Sequence, residues 1–340
     1  MDDARRLVLV GGYSSPYSRK MRAVLRYRRI PHRWVLKGTP EAAGLPKPVT
    51  DLIPVLVFPD APDEAHIDST PLIRRLERDW SQRSVIPPDP AIAWLDALIE
   101  DFADEWLTKA MFHYRWAYPS SAAKADRVTV LEHYPEVRGA DLAELAEAFS
   151  RRQIARLEVV GSSQTTAPVI ETSYRRLLEL LDGLLARAPF VMGRRPGSSD
   201  FGLFGQLSQL VLFDPSSVEI AAAEAPRIIA WVHRVEDLSW LEVEDDGWID
   251  REGAAENLRP LLAEIGRVYV PFLIANETAV SRNLDRTECE IDGTPWTQRP
   301  VKYQAKCLRW VRGRFEELAA DDRSWVGQTL AGTGCEGLFE

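Results

Sequence analysis

Two adjacent serines, Ser14 and Ser15, stand directly before Pro16 and are the residues best placed to do chemistry. A serine ahead of a proline at the first helical position marks a helix start. A hydrogen bond from a hydroxyl to a charged group contributes about 1.5–3 kcal/mol, and a helix N-terminus adds about 0.3–1 kcal/mol. Their sum meets the ~2.7 kcal/mol that lowers the pKa of a thiol by about two units. A hydroxyl at a helix start can therefore stabilise an anion such as a thiolate, the nucleophilic form of a thiol.

The sequence leaves open which of the two hydroxyls acts. The alternative for Ser15 is a plain helix N-cap, because serine is among the best capping residues. Tyr13 and Ser18 are weaker candidates for the same role. A second helix start follows at Asp68 and Ser69, ahead of Thr70-Pro71. Exposed N–H groups at a helix start suit a carboxylate ligand, and the alternative there is again a simple cap.

The elements that position these residues form an α/β pattern over roughly the first 80 residues, enough for one small domain. Residues 7–10, 32–36, 55–58 and 65–67 predict strands, and the order is β-α-β followed by β-β-α. The loop from Lys37 to Asp51 has no obvious helix. The segment SVIPPDP at 84–90 is a Pro-rich linker.

Helical periodicity predominates after that linker. A β-hairpin is predicted near the end, with strands at Thr287–Ile291 and Pro295–Arg299 joined by an Asp-Gly turn. A helix at Lys302–Leu318 should pack on the hairpin, and the residues from Asp321 onward are expected to form a loose tail. The other predicted helices are Ile92–Trp116, Asp141–Leu157, Ile170–Ala188, Ser199–Phe213, Pro226–Leu238 and Asn257–Val280.

Composition excludes several classes of function. The net charge of -9 and pI near 5.3 argue against nucleic-acid binding, which needs a basic face. The three cysteines, Cys289, Cys307 and Cys335, form neither a disulfide framework nor a metal-ligand spacing, so no metal is expected. The apolar N-terminal stretch is too short for a signal peptide, and no apolar run is long enough to span a membrane. We therefore expect a cytoplasmic protein without a membrane partner.

Two charged clusters have two interpretations each. Glu105, Lys109 and His113 follow one another at i,i+4 spacing and predict either a surface salt-bridge ladder or acid–base chemistry beside a second substrate. A basic cluster predicts either one solvated helix face or attraction of an anionic ligand. Its members are Arg19, Lys20, Arg22, Arg26, Arg28 and Arg29.

Five segments together resemble the glutathione transferases, in that family's order and at its spacings. They cover roughly residues 5 to 240, although no single segment is decisive. The segments are YSSPYSRKMRAVLRYRRIPHRWV, IPVLVF, DSTPLIRRLE, FVMGRRPGSSDFGLFGQL and APRIIAWVHRV.

The resemblance implies roles for the candidate residues. Ser14 or Ser15 would stabilise the thiolate of glutathione, a co-substrate and not a bound cofactor. Pro54 would be cis, so that the main chain of Ile53 pairs with the cysteinyl backbone as an added strand would; the alternative is an ordinary proline at a strand start. Asp68 and Ser69 would hold the γ-glutamyl end.

The sequence also departs from the family pattern. Gly197 stands where the family has a Ser or Thr three residues before Asp200, and glycine is an acceptable N-cap. An insertion runs from about 118 to 168, and the chain from about 245 has no counterpart in the ordinary family plan. The loop from Lys37 to Asp51 also lacks the second helix that in this family usually helps hold the glycine end of glutathione. The loop, the insertion and the extension concern the second substrate, the possible homodimer and part of glutathione binding.

The predicted fold is a thioredoxin-like α/β domain (1–83), an all-α glutathione-transferase-type domain (91–245) and an α+β extension with a β-hairpin (246–340). The predicted function is a glutathione-dependent transferase acting on a small hydrophobic electrophile. Two rivals remain: a non-catalytic binding or scaffold protein, because fold does not imply function, and a glutathione-using isomerase or dehalogenase on the same fold.

Overall fold

The computed structural model describes residues 6–339 and begins with a small α/β domain. Its sheet has the order β2-β1-β3-β4, with β1 and β2 parallel and the other two pairs antiparallel. This confirms the predicted thioredoxin-like domain. The strands are β1 (Leu7–Gly11), β2 (His32–Leu36), β3 (Val55–Phe58) and β4 (Ala61–His66), and the helices are α1 (Pro16–Tyr27), α2 (Pro40–Ala43) and α3 (Ser69–Asp79).

The short helix α2 lies in the loop where no helix was predicted. Thr39 caps its start and Pro40 is its first residue, which is a local start signal of the kind used elsewhere in the chain. The predicted first domain begins with residues 1–5, and these lie outside the described residues. Residue 340, the end of the predicted extension, does so too.

An all-α domain follows, and it is more finely divided than the sequence predicted. The predicted helix at 92–116 contains a π-helical segment (Ala103–Leu107) between α4 and α5, and α6 and α10 were not predicted. The helices are α4 (Pro90–Phe102), α5 (Thr108–Trp116), α6 (Pro119–His133), α7 (Gly139–Ile154), α8 (Ala167–Leu185), α9 (Ser198–Leu210), α10 (Pro215–Glu224) and α11 (Pro226–Val235).

The C-terminal extension contains the predicted hairpin. Asp292 and Gly293 both have positive φ, at 54° and 73°, as a tight two-residue hairpin turn requires. The helix predicted at 257–280 is broken, because prolines begin two of its pieces. The elements are α12 (Arg251–Asn257), α13 (Arg259–Glu264), a π-helical segment (Ile265–Tyr269), α14 (Val270–Ser281), β5 (Thr287–Ile291), β6 (Thr294–Gln298), α15 (Lys302–Glu316) and α16 (Ala320–Leu330).

The prediction of a loose tail from Asp321 was wrong. Helix α16 and the 3₁₀ turn after it bury Val326, Leu330, Cys335 and Leu338. These four side chains join the same apolar core as the first two domains. Burial of apolar area orders the tail, and the polar residues between them had concealed that pattern.

The α/β and helical domains meet along α1 and α9. Gly205 permits this close approach, since a Cβ there would lie 2.8 Å from the carbonyl oxygen of Pro16. The start of α9 has Gly197 as its N-cap, and Asp200 accepts a hydrogen bond from the Gly197 N–H at 2.9 Å. The carboxylate of Asp96 accepts from the N–H groups of Ser198 and Ser199, so it replaces the capping side chain that glycine lacks.

The solvated-face interpretation of the basic cluster was wrong for Lys20 and Arg28, which are both buried. Lys20 Nζ donates to Glu100 Oε1 at 2.7 Å and to Asp104 Oδ2 at 2.5 Å, across the domain boundary. The arginines of the cluster that lie nearer the surface pair with Glu236 and Glu242 of the helical domain. Arg28 pairs with Glu77 within the α/β domain, and the other members of the cluster join the two domains.

Candidate functional site

A cleft of about 710 Å³ opens between the start of α1 and the helices α5, α6 and α7. The α/β domain contributes Ser14, Ser15 and Ile53 to its wall. The helical domain contributes an apolar group and a basic group on the facing side. The apolar group is Met111, Phe112, Trp116, Val130, Leu145 and Phe149, and the basic group is Arg115, Arg152 and Arg156.

Ser14 is buried at the end of this cleft, and its hydroxyl proton, its N–H and its carbonyl oxygen each have a hydrogen-bond partner. Its Oγ donates to Glu132 Oε2 at 3.0 Å, and its main-chain N–H contacts the same oxygen at 3.2 Å. Its carbonyl oxygen accepts from Arg115 Nη1 at 2.7 Å. Ser15 is the N-cap of α1, because its Oγ accepts from the N–H of Ser18. The two serines therefore differ in role, and Ser14 is the one with an ionisable partner.

Arg115 is itself rigidly held. Its Nε donates to Asp214 Oδ1 at 2.9 Å and its Nη2 to Gln209 Oε1 at 2.7 Å. Gln209 also donates to the carbonyl oxygen of Tyr13 at 3.1 Å, so the segment before α1 is fixed at two carbonyl groups. A buried guanidinium with several charge-assisted hydrogen bonds fixes geometry better than a flexible ammonium would.

The Ile53–Pro54 peptide bond is cis. The main-chain N–H and C=O of Ile53 make no hydrogen bond with residues 6–339. Ile53 lines the cleft, so an extended ligand there can pair with a free strand-like backbone.

Asp68 lies at the start of α3 with φ of 80°. Its carboxylate accepts from the hydroxyl of Tyr303, which lies in α15, at 2.8 Å to Oδ1 and 2.9 Å to Oδ2. Burial raises the pKa of Asp68 above its usual value. Neighbouring Ser69 Oγ accepts from Lys20 Nζ at 3.3 Å. Tyr303 of the C-terminal extension therefore contacts this second helix start. Neither Asp68 nor Ser69 lines the cleft that contains Ser14.

The stripe Glu105, Lys109 and His113 is not a surface ladder, because Lys109 and His113 are buried. Lys109 Nζ donates to the carbonyl oxygen of Val160 at 3.1 Å and to Gln298 Oε1 at 2.9 Å. Burial lowers the pKa of Lys109 to about 7. His113 contacts Ser162 and Glu171, also away from the cleft. The stripe therefore joins α5 to the insertion and the hairpin.

The cysteines form no disulfide within residues 6–339. Burial raises the pKa of Cys289 to about 11 and the pKa of Cys307 further, so both are poor nucleophiles. No group of three or more His, Cys, Asp or Glu side chains in the described part of the chain is arranged to hold a metal ion. A search of the same residues found no helix long and apolar enough to cross a membrane.

Sequence reasoning missed three residues at these two helix starts: Arg115, Glu132 and Tyr303. Arg115 had a weak signal, since it lies in a helix with buried residues on several faces. Glu132 and Tyr303 had none, because they are separated from Ser14 and Asp68 by 118 and 235 positions.

Comparison with known proteins agrees with the fold. Residues 9–84 match the family model described as glutathione S-transferase, N-terminal domain. A comparison with curated proteins found no match.

Solved structures similar to this chain include three glutathione transferases. The Tau class glutathione S-transferase of mango (Mangifera indica) is 16% identical over 68% of this chain and 88% of its own, with a TM-score of 0.42. A glutathione S-transferase of Methylobacterium radiotolerans, in complex with glutathione sulfonate, is 19% identical over 68% of this chain and 90% of its own, with a TM-score of 0.41. A family member from Pseudomonas fluorescens with two glutathione bound is 15% identical over 69% and 89%, with a TM-score of 0.41. The family match lies in the α/β domain, and this chain therefore carries a glutathione S-transferase N-terminal domain at residues 9–84.

Proposed function

We propose that this protein is a glutathione-dependent transferase that activates the glutathione thiol at Ser14 for attack on a small hydrophobic electrophile. The observation that carries the proposal is the cleft, where Ser14 Oγ, the unpaired main chain of Ile53 and several basic side chains share one surface. A tripeptide with two carboxylates suits such a surface, because the main chain can pair and the basic groups attract negative charge.

The second substrate is proposed from the facing wall. Phe112, Trp116 and Phe149 lie on α5 and α7 beside the serines and offer aromatic surface in the cleft, and the guanidinium of Arg152 lies 5.3 Å from the centre of the Phe149 ring. Pockets of this kind bind apolar ligands and leave specificity to a few polar groups. The cytoplasmic location expected from the sequence, and the homodimer that the resemblance makes possible, stay predictions.

One specific observation favours the rival, a non-catalytic binding or scaffold protein. Asp68 and Ser69, proposed to hold the γ-glutamyl end, already have Tyr303 and Lys20 as partners. If glutathione uses Asp68, the hydroxyl of Tyr303 competes with it. Tyr303→Phe should then tighten glutathione binding by about tenfold or more, because a hydrogen bond to a charged group contributes about 1.5–3 kcal/mol and about 1.4 kcal/mol corresponds to a factor of ten.

The experiment is calorimetric titration of glutathione into the wild type, Ser14→Ala, Asp68→Asn and Tyr303→Phe, followed by an assay of conjugation with a panel of electrophiles. We expect binding that Asp68→Asn weakens and Tyr303→Phe strengthens, and conjugation that Ser14→Ala reduces. Binding without conjugation would favour the non-catalytic rival. Product formation with no loss of total glutathione would favour the isomerase. The absence of binding heat at millimolar glutathione, at two temperatures, would refute the proposal.

A further inference from the structure

The carboxylate of Glu132 accepts a hydrogen bond from the Ser14 hydroxyl, the group that is proposed to stabilise the thiolate. Glu132 belongs to α6, in the insertion, and its Oε2 accepts both the Oγ–H and the N–H of Ser14. A serine hydroxyl has one proton and two lone pairs. Since that proton points to Glu132, Ser14 presents lone pairs to a ligand in the cleft. In this state it can accept a hydrogen bond from a thiol but cannot donate one to a thiolate.

We propose, resting on the proposed function, that Glu132 receives the proton of the bound glutathione thiol through Ser14. The thiol proton moves to Ser14 Oγ while the original hydroxyl proton moves to Glu132 Oε2. The S–H bond breaks with its electron pair left on sulfur, one O–H bond on Ser14 replaces another, and one O–H bond forms on Glu132. Ser14 then donates to the thiolate, and the total charge of the three groups is unchanged.

The residues around Ser14 and Glu132 support a proton transfer between the two side chains. Arg115 fixes the carbonyl group of Ser14, so the hydroxyl keeps its place while its proton changes partner. Burial raises the pKa of Glu132, although the hydrogen bonds from Ser14 and the charge of Arg115 act in the opposite direction. A carboxylate with a raised pKa accepts a proton more readily at neutral pH.

Several other charged groups bear on this titration. Arg115 reaches Glu132 from α5, and His133 is its neighbour on α6. Lys37 and Asp51 face His133 from the α/β domain, and Arg152 lines the same cleft from α7. Burial, with Lys37, lowers the pKa of His133, so this histidine is neutral near pH 7 and its own titration lies below that.

A shared proton has a recognisable signature. Two strongly coupled groups lose their protons in two macroscopic steps that belong to the pair. The thiolate absorbance should therefore rise at acidic pH, when the set formed by the glutathione thiol, Ser14 and Glu132 loses its first proton. It should stay level around neutrality and rise again when the second proton leaves. A thiol stabilised by a hydroxyl alone titrates in one step.

The test is thiolate absorbance against pH for the glutathione-saturated protein. We compare the wild type with Glu132→Gln, which cannot accept the proton, and with Ser14→Ala, which interrupts the relay. Glu136→Gln is the matched control, because Glu136 is an exposed glutamate close to α6. We expect two steps in the wild type and in the control. Both relay variants should show one step, whose signal falls tenfold per pH unit below its midpoint.

The outcomes separate this relay from the function on which it rests. One step in the wild type, or two steps kept in Glu132→Gln, would overturn the relay while calorimetric binding left the transferase proposal standing. No binding of glutathione to the wild type would overturn both. Should Glu132→Gln fail to fold by circular dichroism, Ser14→Ala gives the same comparison.

Discussion

Replacement of Lys20 by methionine should strongly destabilise the protein. The Lys20 side chain has no exposed area, and its ammonium is the cation nearest to the buried carboxylates of Glu100 and Asp104. Removal of one partner from a buried ion pair costs about 3–5 kcal/mol, because the remaining charge is left uncompensated. Arg74 pairs with Glu100 Oε2 at 4.0 Å, the limit of an ion pair, and makes no such pair with Asp104, so it does not replace the ammonium. We therefore expect a loss within that range at pH 8.

The loss should depend on pH in a definite direction. In the wild type, burial alone would raise the pKa of Glu100, but the charges of Lys20 and Arg74 and the hydrogen bonds to the carboxylate together outweigh burial and lower the pKa. Without Lys20, burial dominates, so the folded-state pKa of Glu100 rises above its value near 4 in the unfolded chain. Burial already raises the pKa of Asp104 to about 6 in the wild type, and loss of the Lys20 charge raises it further. The folded variant then binds more protons than the unfolded chain, so its stability falls as the pH rises above about 4. The penalty should be smaller at pH 5 than at pH 8.

Urea unfolding at pH 5 and pH 8, followed by both tryptophan fluorescence and far-ultraviolet circular dichroism, measures this effect. Lys47→Met is the control, because Lys47 is exposed and surface substitutions change stability by about 0.5 kcal/mol or less. Adding Glu100→Gln and Asp104→Asn to Lys20→Met should recover much of the loss. A penalty below about 1 kcal/mol at pH 8, or an equal penalty at both pH values, would contradict the reasoning.

Two further predictions concern Gly197 and Lys109. Gly197→Ala should destabilise by about 1–3 kcal/mol, since its Cβ would lie 2.3 Å from Asp96 Oδ1. Gly183→Ala, in α8 with open space around it, should stabilise by about 0.5–1 kcal/mol; equal thermal shifts for the two would contradict this. For Lys109, burial lowers the pKa to about 7. The unfolded chain therefore binds more protons than the folded protein between pH 7 and the ordinary lysine pKa of about 10.4. Wild-type stability should therefore gain up to about 1.4 kcal/mol per pH unit as the pH rises through that range, relative to Lys109→Met. Urea midpoints with the same pH dependence in both proteins would refute this.

The features that the sequence predicted correctly depend on a few consecutive residues. The start of α1 follows from Ser15 and Pro16, because capping and the fixed φ of proline act within one turn. The hairpin follows from Asp292 and Gly293, which accept the positive φ that its turn requires. The strands of the first domain are short apolar runs bounded by turn residues, a signal that needs no information from elsewhere in the chain.

The tertiary structure decided what each helix face contacts. Periodicity shows which residues share a face, but it does not show whether solvent or another helix covers them. Lys20 belongs to a basic run that reads as solvated, yet it is buried because Glu100 and Asp104 lie opposite. The tail from Asp321 looks polar, yet its few apolar side chains complete the core.

The candidate site divides in the same way. The sequence determined that Ser14 and Ser15 lie at a helix start and that Asp68 lies at another, since both signals are local. Only the folded chain brings Glu132 to Ser14 and Tyr303 to Asp68. The physical reason is that hydrogen bonds between residues far apart in the chain depend on how whole helices pack, and packing is decided by the sum of many buried contacts.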